Sequence, residues 1–67
     1  MEIKDEELWR NKKYAIVKRT YSDGSVAIIG GWYENHKYGP PSFFGQSTGA
    51  LPQYVQKLIH KFERIGL

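Results

Sequence analysis

His36 and His60 are the only imidazoles in the chain, and there is no cysteine. A metal centre would have to be built from these two rings and scattered carboxylates. The one local pairing, Glu34 with His36, lacks the ligand spacing of a zinc motif. Without thiols neither a disulfide nor a thiolate metal site can act as a staple. Gly30 and Gly31 follow a strand-like run but lead into Trp32 and Tyr33, so they do not form the phosphate-cradling turn that opens a helix. A hydroxyl or imidazole catalyst needs a supported pocket, which a thin sheet with one helix seldom provides. The expectation is a non-enzymatic chain with no catalytic residue, no metal and no cofactor.

Two groups of residues have the chemistry of binding. The first is basic. Arg10, Lys12, Lys13, Lys18 and Arg19 occupy ten residues without an acid, with Tyr14 inside the run and Tyr21 beside it. Lys and Arg neutralise phosphates while strand-borne tyrosines stack on bases or sugars. Lys37 extends this set, which points to nucleic acid, DNA ahead of RNA. A second basic stripe, Lys57, Lys61 and Arg64, has helical spacing and also suits the C-terminal half of a helix dipole. The second group is aromatic: Trp32, Tyr33, His36, Tyr38, Phe43 and Phe44 fall within thirteen residues, interrupted by Gly39, Pro40 and Pro41. Rings of this kind plug a small core, and where they stay exposed they mark protein interfaces.

Charge is unevenly spread. The formal net charge is +3, yet four of the seven acids (Glu2, Asp5, Glu6, Glu7) lie in the first seven residues. From Leu8 onward nine Lys and Arg face three acids, a basic body with an acidic tip. No apolar run approaches the ~18 residues of a membrane span. With zero cysteines and no apolar run after Met1, a cytoplasmic protein without membrane contact is expected.

Sixty-seven residues make a single small domain near the lower limit for a self-sufficient core. The predicted fold is α+β, a small antiparallel sheet packed by one C-terminal amphipathic helix. Residues 1–12 read as an arm or short helix, with Asp5 as N-cap and Glu6 and Glu7 in the first turn. Residues 13–33 read as a β-hairpin turning at Asp23 and Gly24. Two registers are open. A two-residue turn sets Tyr21 opposite Val26, whereas a type I turn with Gly24 as a bulge sets Tyr14 opposite Trp32. The bulge is preferred, since it gathers Tyr14, Ile16, Val26, Ile28 and Trp32 on one face, leaves Lys18 and Thr20 near the tip and sends Arg19 to the other side. The glycine pair at 30 and 31 marks a bulge or a close approach by another backbone. Residues 34–50 form a loop in which 42–46 could add a third, edge strand. Residues 51–65 carry Leu51, Val55, Leu58, Ile59, Phe62 and Ile65 on one helical stripe, with Pro52 in the first turn, Ser47 or Thr48 near the cap and Gly66 as the stop.

A basic hairpin ending in Trp32, followed by a long loop and one amphipathic helix, resembles in element order the small arm-binding domains of tyrosine-type integrases. That resemblance implies that the sheet face meets DNA. Two functions are thus expected: a nucleic-acid-binding accessory or regulatory module through Arg10, Lys12, Lys13, Tyr14, Lys18, Arg19, Tyr21 and Lys37, or a protein-interaction module docking through residues 32–44. The latter could be an inhibitor or modulator of a host protein, from a phage or mobile element. A homodimer through a free sheet edge is a further outcome.

Overall fold

The computed structural model describes residues 2–65. Four strands, β1 (Lys4–Arg10), β2 (Ala15–Thr20), β3 (Val26–Glu34) and β4 (Ser42–Gly45), form one antiparallel sheet in the order β1-β2-β3-β4. A 3-10 turn, Thr48–Ala50, leads to the single α-helix, α1 (Gln53–Ile65), which lies against one face. The fold is the expected small α+β arrangement, with one strand more than the sequence reading assigned.

The central hairpin adopts the bulged register. Thr20 pairs with Val26, Lys18 with Ile28 and Ile16 with Gly30. The Gly24 amide donates to the Tyr21 carbonyl at 3.0 Å, which closes a turn, and Gly24 then takes φ +89°. Only glycine accepts that conformation without strain, so this residue fixes the register of the hairpin. Asp23 braces the turn by accepting from the Ser25 amide at 2.9 Å and the Ser25 hydroxyl at 2.6 Å.

The expectation of an N-terminal helix is overturned. Residues 4–10 are an edge strand on β2, and Asp5 is a ladder residue opposite Arg19, not a cap. The local preference of acids for a helix N-terminus is worth only a fraction of a kcal/mol to about 1 kcal/mol at the surface. An open β2 edge offers a whole row of backbone partners, and that outweighs it. The register shifts between Glu7 and Trp9, leaving Leu8 as the extra residue. The bulge lets both Leu8 and Trp9 pack toward the helix-side core, which strict alternation would forbid.

That core consists of Ile16, Leu51, Val55 and Ile59, flanked by Leu8, Trp9, Tyr14, Ile28, Leu58 and Phe62. The helix starts at Gln53, two residues later than predicted, because the ring of Pro52 disfavours helical backbone at the preceding Leu51. Leu51 is nevertheless buried, and the Pro52 carbonyl accepts from the amides of Val55 and Gln56. The predicted stop at Gly66 lies outside the described residues. Val26 belongs to the expected apolar face but stays 43% exposed, because α1 covers the Gly30 end of the sheet and not its tip. The glycine pair answers to close approach on two sides. A Cβ on Gly30 would stand 2.7 Å from both Ile59 Cδ1 and Leu51 Cδ1, and one on Gly31 would strike the β4 backbone at Phe44 O.

Two outcomes are expected. Gly30→Ala should destabilise the fold by roughly 1–3 kcal/mol, as overpacking does. Gly49→Ala, where a Cβ would meet nothing within 4 Å, should cost far less, and equal losses in chemical denaturation would refute the close-seating account. The hydrogen bonds from Ser25, its hydroxyl first, hold the Asp23 carboxyl below its usual 3.8. A depressed folded value means this contribution is present above 3.8 and is lost as pH falls through the folded value. The Ser25 amide resonance should therefore titrate with a midpoint below 3.8, and Asp23→Asn should abolish that titration.

Candidate interaction surfaces

The structure disperses the predicted basic set. Arg19 lies on the face away from α1, where its Nε and Nη2 donate to Asp5 at 2.8 and 3.0 Å. Those bonds raise the Arg19 pKa above its ordinary value, so the guanidinium is committed to this pair. Arg10 shares that face, 3.6 Å from Glu7 and 5.0 Å above the Tyr33 ring. Lys18 is on the helix side of the sheet, with Glu6 as its ladder neighbour. Tyr14 also turns toward α1, meeting Tyr54 edge-on at 6.5 Å. Lys12 and Lys13 sit in the β1–β2 turn, whose Asn11 Oδ1 accepts from the amides of Lys13 and Tyr14. Tyr21 is at the opposite end, in the hairpin turn, and Lys37 is in the β3–β4 loop, 5.8 Å from the Tyr38 ring. These eight residues thus divide between two faces and two ends, and β1 threads acids among the strand cations.

The aromatic set is distributed along β3, β4 and the loop between them. Trp32 pairs with Phe44 on the helix side of the sheet, and Tyr33 pairs with Phe43 on the other, their rings 5.2 Å apart and edge-on. Trp32 Nε1 donates to Glu34 at 3.2 Å. His36 Nε2 and Ser42 Oγ share a 2.5 Å hydrogen bond that ties the loop across its base. Beyond it, Gly39 takes φ +101° and Tyr38 projects outward, 84% exposed. Phe44 is 41% exposed. Phe43 and Tyr33, half-buried, lie on the same face as the buried Ala15 and Val17.

The sheet's two outer edges differ in character. β1 carries Lys4, Asp5, Glu6, Glu7 and Arg10, the charged edge by which proteins resist strand addition. β4, Ser-Phe-Phe-Gly, carries no charge. It belongs to residues 38–56, which contain no Asp, Glu, Lys, Arg or His in a chain that is 25% charged. That uncharged run was readable in the sequence and is the signal that separates this edge from the rest of the surface. Gly45 and Tyr54, absent from the predicted sets, lie within it.

The exposed side of α1 presents Lys57, Lys61 and Arg64 along an open hollow of about 480 Å³, while His60 Nδ1 lies 3.2 Å from Glu63. Asn11 donates to the Tyr54 hydroxyl at 3.1 Å, which links the Lys12 and Lys13 turn to the start of this stripe. Among the described residues no three His, Asp or Glu side chains gather as a metal site would require, and no helix is long and apolar enough to cross a membrane. No protein-family model, curated protein or solved structure matches the chain. The added strand β1 departs from the element order on which the likeness to integrase arm-binding domains rests.

Burial, and secondarily the carboxylates of Glu7 and Asp5, raise the Tyr33 phenol above its usual 10.0, partly opposed by Arg10. A raised folded value means the stabilisation it carries is present below pH 10.0 and is lost as pH rises through the folded value. In an alkaline absorbance titration one tyrosine should ionise late, and Tyr33→Phe should remove that component. An unchanged curve in the variant would contradict the placement of Tyr33 beside the two acids.

Proposed function

We propose that the chain is a non-enzymatic interaction module that docks on another polypeptide through the β4 edge and its flanking aromatics. One observation carries this reading: β4 is an uncharged, unpaired strand edge with Phe44 and Tyr38 exposed beside it, whereas the opposite edge is guarded by charge. An exposed edge binds an extended segment through main-chain hydrogen bonds, and flanking aromatic rings supply contact area at small entropic cost. The pairing of Arg10 and Arg19 with acids of β1 favours this reading over nucleic acid on the sheet, because committed guanidinium groups release few counterions. We place the action in the cytoplasm, where a fold that uses no disulfide is indifferent to reducing conditions.

Nucleic-acid binding is the second reading, carried by a different surface from the one the sequence suggested. Lys12 and Lys13, in the turn whose Asn11 bonds Tyr54, and Lys57, Lys61 and Arg64 on α1 are five cations that enter no ion pair among the described residues. Phosphates along one strand could be met by this series without the sheet taking part.

Site-specific photocrosslinking separates the two. A photoreactive residue at position 44 should yield polypeptide adducts in expressing cells, and one at position 61 should not. Nuclease-sensitive adducts from position 61 with none from position 44 would overturn the proposal, as would the absence of adducts from both.

A further inference from the structure

We propose that the polypeptide seated on β4 is a second copy of this chain, paired antiparallel to form one eight-stranded sheet. This rests on the reading of β4 as the docking edge and names its occupant.

The hydrogen-bonding direction of β4 sets the geometry. The Gln46 amide donates to the Gly30 carbonyl at 2.8 Å, so residue 46 faces β3. Alternation along the antiparallel ladder then turns Phe44 and Ser42 toward β3 and leaves the N–H and C=O groups of Phe43 and Gly45 pointing outward. Two copies of this edge are self-complementary. Phe43 opposite Gly45 of the second copy, and the reverse, satisfies all four outward groups on each side. The alternative register, centred on Phe43, would set Gly45 against Pro41 of the second copy, which has no N–H to give. Pairing centred on Phe44 also lays each Phe43 ring over a glycine, an aromatic–glycine contact that suits an exposed strand. The two Phe44 side chains then meet in the closer, non-hydrogen-bonded pair, which covers a ring now 41% exposed.

Charge allows this contact and discourages the competitors. Each copy is +3, yet residues 38–56 bring no ionisable Lys, Arg, His, Asp or Glu to the seam. Adding β4 to the β1 edge of another copy would be a head-to-tail contact that propagates into a filament. The charges of β1 and its bulge between Glu7 and Trp9 oppose that mode. The β4 pairing closes instead on a twofold axis perpendicular to the sheet. Both helices then fall on the same face, and their Lys57, Lys61 and Arg64 stripes share one side of the dimer.

The test is the mass in solution of the full chain, by sedimentation equilibrium across a dilution series, with circular dichroism to confirm folding. The wild type should approach twice 7.8 kDa at the concentrated end. Phe44→Lys and Phe44→Glu should each remain monomeric, since each sets like charges opposite one another, and an equimolar mixture of the two should restore the dimer. Should either variant fail to fold, Phe44→Ser, which removes the ring without adding charge, should weaken dimerisation at least about tenfold. A wild type that stays monomeric throughout, or folded charge variants that fail to complement, would overturn the inference. If the wild type is monomeric while position 44 still crosslinks to a different protein, the docking edge stands and only its occupant is wrong. If position 44 crosslinks to nothing, both fall.

Discussion

The seating of α1 on Gly30 is the contact on which the rest of the molecule depends. Gly30 offers no side chain, so Leu51 and Ile59 descend to the sheet itself, beside Ile16 on the neighbouring strand. With Val55 these residues make up the helix-side core, a small one for a chain with no disulfide to assist it. Because the close approach is confined to one end of β3, the helix shields only that end. Lys4, Glu6, Lys18 and Thr20 at the other end share the same face of the sheet and remain outside the core.

This placement also explains the division of charge. A short sheet with one helix must leave two edges in water. β1 answers by setting acids against nearby cations, Asp5 gripping Arg19 of β2 and Glu7 lying beside Arg10 of β1 itself. Exposed pairs of this sort add about 1 kcal/mol or less each. Their larger effect is to neutralise a cluster that, taken along the sequence, looks like a phosphate-binding surface. β4 has no such guard. Its partner β3 presents Trp32 on one face and Tyr33 on the other, so aromatic surface flanks the free edge on both sides.

The hairpin was legible because its determinants are local: Gly24 must take positive φ, and the bulged register follows from the turn. The helix was legible from its apolar stripe, and its late start follows from the residue before Pro52. The first strand was not legible, since its acids suit a helix terminus by themselves and become strand residues only when an open β2 edge is waiting. The fate of Arg19 was hidden for the same reason, its partner Asp5 being set by pairing between strands, while Arg10 meets the nearby Glu7 because the bulge between Glu7 and Trp9 turns both to one face. The face away from the helix was also unforeseen. Ala15 and Val17 are buried there between cross-strand neighbours, on the face that also carries Tyr33 and Phe43, away from the helix. The uncharged character of residues 38–56, by contrast, is written in the sequence and acquires meaning once β4 is known to be an edge.

Backbone amide exchange at β4, followed by NMR across a dilution series, tests the central claim at single-residue resolution. The Phe44 and Gln46 amides should be protected at every concentration, because β3 holds them. The Phe43 and Gly45 amides should exchange freely in dilute solution and become protected as concentration rises, because in the proposed dimer a second β4 pairs with them. Rapid exchange at Phe43 and Gly45 at all concentrations would contradict the account.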